Sequence, residues 1–386
     1  MTPPQAFSIN IPQAALDDLQ ARLARTRWPQ GIEGETWDYG TNLNSMKALV
    51  EYWQNGYDWR AQEAMLNQFA QFKAEIDGVP IHFIHVRGKG ATPTPIILSH
   101  GWPDSFYRFY KIIPLLTDPA RFGGDPAQSF DVIVPSLPGF GFSQLPQNRS
   151  VNLARIAELW FKLMTDVLGY KRFAAGGGDF GSQITRLLAL RHPEQIIGIH
   201  LTDIGYSGDP AFPPDLSNLS SAEQGYFGAT QGWFYQEGAY AMIQATKPQS
   251  LAYGLSDSPV GLAAWIIEKF RTWSDCDGDP ENSYSKDELL TNVMIYWLSE
   301  TALTSMRPYN QRIDDADKLQ AGQHIEVPAA LARFPKDLGS TPPRELAERS
   351  LRIQRWTEMP RGGHFAALEE PELLVEDMRS FFRDLA

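Results

Sequence analysis

The chain has 386 residues, and its 34 Lys and Arg against 46 Asp and Glu give a formal net charge of −12. This charge argues against a nucleic-acid binder and a polybasic membrane anchor, which both need clustered positive residues. The single cysteine, Cys276, excludes an intramolecular disulfide and a Cys-rich metal site. We expect an unreactive thiol there, because no Cys–Gly or Cys–His context surrounds it.

The N-terminus shows neither the basic nor the apolar region of a signal peptide. No apolar run approaches the roughly 18 residues that a membrane span needs. The sequence therefore predicts a soluble, cytoplasmic protein.

The sequence pattern of roughly the first 75 residues predicts helices. Ile11, Leu16, Leu19 and Leu23 recur at helical spacing within 11–26. From there to about residue 75 the chain is rich in tryptophan and shows helical pieces without strand alternation. We expect residues 1–76 to form a helical N-terminal region.

The character of the sequence changes at Asp77-Gly78, a turn dipeptide. Short apolar runs then alternate with helix-like segments. The runs lie at 81–86, 96–99, 131–134, 172–175 and 196–201, and the helix-like segments near 105–116, 151–168 and 180–191. This alternation predicts a mostly parallel, doubly wound sheet with helices on both faces. We assign residues 77–205 to the first part of this α/β core.

The alternation stops near residue 205. Residues 206–320 are helical in pattern, aromatic and broken by turns, and strand-like runs return at 324–331 and 351–356. A final helix-like segment follows Pro371. The simplest interpretation is one α/β core, completed by residues 321–386 and interrupted by a helical cap at 206–320. Because open α/β sheets bind ligands at the carboxyl ends of their strands, we expect the cap to cover that edge.

A strand runs directly into a helix through Gly-Gly-Asp-Phe-Gly at 177–181. This small-x-nucleophile-x-small layout is typical of the sharp turn that exposes a nucleophile above an α/β sheet. The central residue is Asp179 rather than serine, and no Gly-x-Ser-x-Gly supports a serine esterase. A carboxylate attacks an ester or amide poorly, but it can attack an electrophilic sp3 carbon and form an ordinary ester. Asp179 therefore predicts epoxide opening or halide displacement.

The same segment also matches Gly-x-Gly-x-x-Gly at 176–181, with Asp203 about 20 residues further on, as in dinucleotide-binding folds. We disfavour this interpretation, because Asp179 would project a negative charge towards the pyrophosphate. The motif also follows several strands instead of opening the first β-α-β unit. We predict no bound cofactor.

A second motif, Ser-His-Gly-Trp-Pro at 99–103, directly follows an early strand. Its position predicts an oxyanion hole built from the backbone N–H groups of Trp102 and Phe180, the residue after the nucleophile. A cis bond at Pro103 would hold the turn. We expect His100 to belong to the turn rather than to act as a base.

A third motif, Arg-Gly-Gly-His-Phe at 361–365, follows the last strand-like run. It places His364 where the general base of a hydrolase lies. The acid that orients His364 should follow a strand between the nucleophile and the histidine. Asp337, after the run 324–331, fits this position, and Asp203, after the run 196–201, remains the alternative. His82 and His85 point to opposite faces of one strand, so we predict no metal site there.

Five motifs together resemble one family. They are Glu-Ile-Asp-Gly-x-x-Ile-His-Phe-Ile-His-Val at 75–86, His-Gly-Trp-Pro-Asp-Ser-Phe at 100–106, Leu-Pro-Gly-Phe-Gly-Phe-Ser at 137–143, the nucleophile turn at 177–181, and Arg-Gly-Gly-His-Phe-Ala-Ala at 361–367. The chain is similar to the microsomal-type epoxide hydrolases, an α/β-hydrolase group that includes the insect juvenile-hormone epoxide hydrolases. The resemblance covers nearly the whole chain and implies that residues 1–76 meander around the core and cap.

The resemblance implies Asp179 as nucleophile, His364 as base and Asp337 as the acid of the triad. It also selects two tyrosines of the cap that would donate to the epoxide oxygen. These are Tyr240, within Gly-Ala-Tyr-Ala-Met-Ile-Gln-Ala-Thr-Lys-Pro at 238–248, and Tyr309, within Ser-Met-Arg-Pro-Tyr at 305–309. In two respects the chain departs from its family: the membrane anchor of the mammalian enzymes is missing, and Phe180 stands where tryptophan is common.

The implied reaction converts an epoxide and water into a vicinal diol through an ester on Asp179, without a cofactor or metal. The aromatic residues, 12% of the chain, favour a bulky or apolar small-molecule epoxide. A homodimer is compatible with the sequence. Two alternatives remain: a haloalkane-type dehalogenase with the same Asp, His and Asp triad, and a non-catalytic ligand-binding protein of the same fold.

Overall fold

A computed structural model describes residues 3–31, 34, 36–145, 151–204, 218–311, 323–339 and 342–385. Within them, a nine-stranded mixed sheet has the strand order β1-β2-β3-β5-β4-β6-β7-β8-β9. The strands are β1 (Gln5–Phe7), β2 (Gln71–Ile76), β3 (Val79–Val86), β4 (Thr94–Ser99), β5 (Phe130–Pro135), β6 (Phe173–Gly177), β7 (Ile196–Leu201), β8 (Ile325–Arg333) and β9 (Leu351–Glu358). Strands β4 to β9 run parallel, and β1 to β3 form an antiparallel edge.

The parallel strands form because both of their faces are covered. Every residue of β5 and β6 is buried, which matches their continuous apolar sequences. Each run predicted as a strand lies on or overlaps one of β3 to β9. The predicted α/β-hydrolase fold with a mostly parallel sheet is therefore confirmed.

The prediction that no strand precedes about residue 75 is wrong, because β1 and β2 extend the sheet. Asp77 and Gly78 both have positive φ, 51° and 79°, and close a two-residue hairpin in which Ile76 pairs with Val79. Along β2 the buried positions are residues 71, 74 and 76. The sequence of the strand, Gln-Phe-Lys-Ala-Glu-Ile, nevertheless alternates polar and apolar residues, which is the period-two pattern that indicates a strand.

The helices surround this sheet and form the cap. They are α1 (Gln13–Ala24), α2 (Leu43–Asn55), α3 (Trp59–Leu66), α4 (Ile112–Thr117), α5 (Leu153–Lys162), α6 (Phe180–Arg191), α7 (Ser221–Glu237), α8 (Ala239–Thr246), α9 (Pro248–Asp257), α10 (Pro259–Thr272), α11 (Lys286–Leu298), α12 (Arg307–Gln311), α13 (Arg344–Glu348), α14 (Ala366–Glu369) and α15 (Pro371–Arg383). The described part of the cap, 218–311, is helical as expected. The predicted cap limits at 206 and 320 lie outside the described residues. None of these helices is long and apolar enough to cross a membrane.

Helix α6 matches the prediction for 180–191, whereas two other predicted helices are divided. The segment near 105–116 forms a 3₁₀ turn at Phe106–Phe109 before α4, and 151–168 forms α5 followed by a π-helical turn at Leu163–Val167. Because the parallel strands all end at one edge of the sheet, the loops after them meet there. The residues carried to this edge are Trp102 after β4, Asp179 after β6, Asp203 after β7, Asp337 after β8 and His364 after β9.

Candidate active site

Asp179 lies in a strained turn between β6 and α6. Its φ is 58°, in the left-handed region that side chains seldom adopt. The flanking glycines let neighbouring backbones approach closely. A Cβ at Gly181 would lie 1.9 Å from the carbonyl oxygen of Ser99, and a Cβ at Gly177 would lie 2.6 Å from the same atom. These glycines therefore fit the tight packing of a nucleophile turn on β4.

The Asp179 carboxylate faces two backbone donors. The Trp102 N–H donates to Oδ1 at 3.0 Å, and the Phe180 N–H also stabilises the charged form. Burial raises the pKa of Asp179, while His364 and the two N–H groups oppose that rise. The backbone N–H groups of Trp102 and Phe180 thus both act on the Asp179 carboxylate, and that of Trp102 contacts Oδ1.

The turn after β4 is fixed by buried polar groups. Its Trp102–Pro103 bond is cis. His100 Nε2 accepts from the Leu137 N–H at 3.1 Å, and its Nδ1 lies 2.9 Å from the Gly101 carbonyl oxygen. His100 therefore belongs to the turn, as expected. Asp104 accepts from the Gly101 N–H at 2.8 Å.

Sequence reasoning missed the side chains that support this turn. Buried Arg108 pairs with the Asp104 carboxylate and donates to the His364 carbonyl oxygen, so it joins two loops of the site. From α11, Asn292 donates to the Pro103 carbonyl oxygen at 2.8 Å, and the Tyr296 hydroxyl donates to that of Asp104 at 2.6 Å. Asp104 belongs to the motif at 100–106, whereas nothing in the sequence indicated its supporting partners on α11.

The structure brings His364 together with Asp337 and Asp179. His364 Nδ1 lies 2.7 Å from Asp337 Oδ1, and Nε2 lies 3.6 Å from Asp179 Oδ2. With Asp337 accepting from Nδ1, the lone pair of Nε2 faces the nucleophile. Burial alone would lower the pKa of His364, but the pKa is raised, because the charge and hydrogen bond of Asp337 and the charge of Asp179 together oppose burial. This arrangement can orient an imidazole that removes a proton beside Asp179.

Asp203, the alternative acid, has a different contact. Its Oδ2 accepts from the backbone N–H of Asp179 at 2.7 Å, so it supports the strained turn. Its own carbonyl oxygen accepts from the Ser182 hydroxyl at 2.6 Å. Burial and the nearby charge of Asp337 raise the pKa of Asp203 to about 7. The geometry therefore favours Asp337 as the partner of His364.

The two tyrosines of the cap lie against Trp102 in the turn after β4. Tyr240 on α8 stacks on Trp102, with ring centroids 5.1 Å apart and planes 10° from parallel. Tyr309 on α12 meets Phe180 edge-on at 4.9 Å and Trp102 at 5.9 Å. The two tyrosine rings are themselves 5.9 Å apart. Both predicted tyrosines thus pack against the residues that hold Asp179.

Trp273, which sequence reasoning did not single out, completes this aromatic cluster. It follows α10, is 1% exposed, and lies 5.1 Å from the ring of Tyr240 and 5.4 Å from that of His364. Its indole N–H has no hydrogen-bond partner among the described residues. Nothing in the sequence distinguishes Trp273 from the other ten tryptophans, since its place depends on how the cap folds onto the core.

The remaining candidate residues lie in ordinary structural settings. Cys276 is buried, burial raises the pKa of its thiol, and its Sγ donates to the Arg271 carbonyl oxygen. His82 bonds Ser136 and Gln71, and burial lowers its pKa to about 3. Among the described residues, no group of three or more His, Cys, Asp or Glu is placed to hold a metal ion.

Comparisons with known proteins place the chain among related sequences. Residues 4–109 match the family described as epoxide hydrolase N terminus, and residues 94–371 match the alpha/beta hydrolase fold. Epoxide hydrolase 1 of Sus scrofa is 36% identical over 410 aligned positions, covering 97% of this chain and 87% of the relative.

Two solved structures extend the similarity to three dimensions. The epoxide hydrolase of Aspergillus niger matches with a TM-score of 0.85 and 31% identity, over 100% of this chain and 97% of that one. The juvenile hormone epoxide hydrolase of Bombyx mori matches with a TM-score of 0.83 and 30% identity, over 100% of this chain and 94% of that one.

Proposed function

The chain belongs to the epoxide hydrolase family, and we propose that it opens an epoxide by attack of Asp179 and hydrolyses the resulting ester to a vicinal diol. One observation carries the assignment of roles. Asp179 presents Oδ1 to the Trp102 N–H and Oδ2 to His364, whose other ring nitrogen is bonded to Asp337. A nucleophilic carboxylate with its own oxyanion donors and base is what a two-step hydrolysis needs.

In the first step, Asp179 Oδ2 forms a bond to a ring carbon while the C–O bond of the epoxide breaks. The leaving alkoxide needs a proton, and Tyr240 and Tyr309 are the proposed donors because they lie together above Trp102. A positioned general acid contributes about 10²- to 10⁴-fold to such a step. The product is an alkyl ester on Asp179.

In the second step, His364 removes a proton from water as the water oxygen attacks the ester carbonyl carbon of Asp179. The oxygen that becomes the oxyanion is Oδ1, which the Trp102 N–H already contacts. The ester C–O bond breaks, the protonated His364 gives its proton to the second hydroxyl, and the diol leaves. The proton left on the Asp179 carboxyl passes to the tyrosine that gave up its proton in the first step, and Asp179 becomes a carboxylate again.

The rings of Trp102, Trp273, Tyr240, Tyr309 and Phe180 support a bulky or apolar epoxide as substrate. Each ring lies 4.9–5.9 Å from at least one other ring of the set, and apolar walls of this kind favour apolar ligands. The relatives favour epoxide hydrolysis over the dehalogenase and the non-catalytic alternatives.

The experiment compares wild type, Asp179→Ala and His364→Gln on a panel of apolar epoxides, with diol analysis and intact-protein mass spectrometry. Asp179→Ala should remove diol formation while keeping the wild-type Tm. His364→Gln should accumulate the ester, seen as a mass increase equal to the epoxide. A matched control is His324→Gln, which changes a surface histidine that pairs with Glu326 in the described part of the chain.

Diol formation by Asp179→Ala would contradict the nucleophile. Tight binding of the epoxide by His364→Gln without any mass increase would contradict the covalent step. Halide release from a haloalkane without epoxide turnover would favour the dehalogenase.

A further inference from the structure

The loop that carries His364 is bonded to a segment of the cap through its backbone. The His364 N–H donates to the Trp273 carbonyl oxygen at 2.8 Å, and the Gly362 N–H donates to Asp275 Oδ2 at 2.9 Å. Trp273 and Asp275 lie in the connection between α10 and α11. These two contacts join residues 361–365, the base loop, to the cap. They add to the loop's contacts with the core, in which the Lys336 N–H donates to the Gly362 carbonyl oxygen and Arg108 donates to that of His364.

Glu369 contacts both the loop of His364 and the connection between α10 and α11. Its Oε1 accepts from the Phe365 N–H at 2.9 Å, and its Oε2 accepts from the Asp275 N–H at 2.8 Å. Burial raises the pKa of Glu369 to about 7. Asp275 thus holds the base loop twice, through its carboxylate to Gly362 and through its backbone N–H to Glu369.

The base loop needs external contacts to keep its shape. Gly362 has a φ of 104°, a conformation open to glycine. A Cβ at Gly363 would lie 2.6 Å from the Trp273 carbonyl oxygen, so the two backbones touch. Two consecutive glycines give His364 little stiffness of their own, because glycine loses the most conformational freedom on ordering.

The same cap segment also contacts the proposed acid of the first step. The ring of Trp273 lies 5.1 Å from that of Tyr240 and 5.4 Å from that of His364. A displacement of the connection would therefore move the base against the nucleophile, while Asp179 itself remains held by Trp102.

From these contacts we infer that Asp275 is a positioning residue for His364, which clamps the base loop to the cap and so governs ester hydrolysis. The inference rests on the proposed function. Asp275 touches neither the substrate nor the reacting atoms in this role; it acts through the Gly362 N–H and Glu369. Ester formation should be affected much less, because Tyr240 is also stacked on Trp102 and Asp179 is held by the Trp102 N–H.

The test measures both half-reactions by rapid quench and mass spectrometry in Asp275→Ala, Asp275→Asn and the control Asp277→Ala. Asp277 is an exposed acid in the same loop. Asp275→Ala should slow ester hydrolysis by about tenfold or more and ester formation by less than about twofold, since a ~1 Å misplacement can cost a hundredfold. Asp275→Asn keeps an acceptor oxygen for Gly362 and should restore hydrolysis to within about threefold of wild type.

Equal rates of hydrolysis in Asp275→Ala and Asp277→Ala would overturn the inference, and so would an equal loss of both half-reactions. Glu369→Gln provides a second variant if Asp275→Ala fails to fold. It replaces one acceptor oxygen by an amide and should also slow hydrolysis selectively, and normal hydrolysis there would overturn the inference. The proposed function fails separately, because then the wild type itself would form no ester.

Discussion

The two halves of the active site are built in different ways. On the core side, Asp179 is held by backbone N–H groups and by glycines that allow no side chain, with Gly181 against Ser99. On the cap side, Tyr240 and Tyr309 are held by stacking and edge-on contacts of aromatic rings. Backbone hydrogen bonds fix direction closely, whereas ring contacts of about 0.5–1.5 kcal/mol each fix it more loosely.

This difference predicts which amino-acid substitutions each half tolerates. A nucleophile and its oxyanion donors need one geometry for every substrate. A wall of aromatic rings can be repacked with hydrophobic residues of similar volume at modest cost. We therefore expect substitutions on the cap side to alter reaction rates while the fold survives. Substitutions on the core side should alter both the reaction rates and the stability of the fold.

The largest effect should come from the cap tyrosines. The double variant Tyr240→Phe/Tyr309→Phe keeps both rings but removes the proton donors, so ester formation should fall by about 10³-fold. Stopped-flow or rapid-quench measurement of ester formation checks this, with Tm showing that the packing survives. Tyr253→Phe is the matched control, since that cap tyrosine is 73% exposed.

An intermediate loss in each single variant would show that the tyrosines share the donation. Full activity in the double variant would instead show that the cap supplies only a wall, and the proposed acids would be wrong.

The next effect lies on the core side. Gly181→Ala places a Cβ 1.9 Å from the Ser99 carbonyl oxygen, a backbone atom that cannot rotate away. We expect a loss of about 3 kcal/mol in the free energy of unfolding, together with reduced activity, because β4 and α6 must separate. Denaturant unfolding measures the change.

Gly228→Ala on α7 is the matched control, since a Cβ there meets no atom within 4 Å. It should stabilise the protein by up to about 1 kcal/mol, as alanine replaces glycine in an exposed helix. Equal stability of the two variants would contradict the contrast between core and cap.

The same contrast explains how much the sequence could predict. Asp179, Trp102, Phe180 and His364 follow strand ends in recognisable turns, because their constraints act through the backbone and leave glycines in fixed places. The α/β fold was predictable for a similar reason, since strands buried on both faces are apolar throughout.

The cap side left no such signal. Eight tyrosines lie between residues 206 and 309, and only the family resemblance selected Tyr240 and Tyr309. The supports Asn292 and Tyr296 bond residues 189 and 192 positions away, and no local pattern encodes such a partner. Strand β2 is a different case, because its alternating sequence Gln-Phe-Lys-Ala-Glu-Ile is a local signal that could have predicted the strand.

The smallest effect concerns the pH dependence of ester hydrolysis on the core side. The base must be neutral, and the pKa of His364 is raised because Asp337 and Asp179 together outweigh burial. Hydrolysis should therefore fall as pH drops through that raised pKa, by about tenfold per unit below it.

In the ester Asp179 carries no charge, so Asp337 is the main anion that keeps the pKa of His364 raised. In Asp337→Asn, burial becomes the dominant influence on the pKa of His364, and burial lowers that pKa. The acid limb of single-turnover hydrolysis should then move to lower pH while the plateau rate falls. A limb that stays in place would mean that Asp203, rather than Asp337, sets the charge of the base.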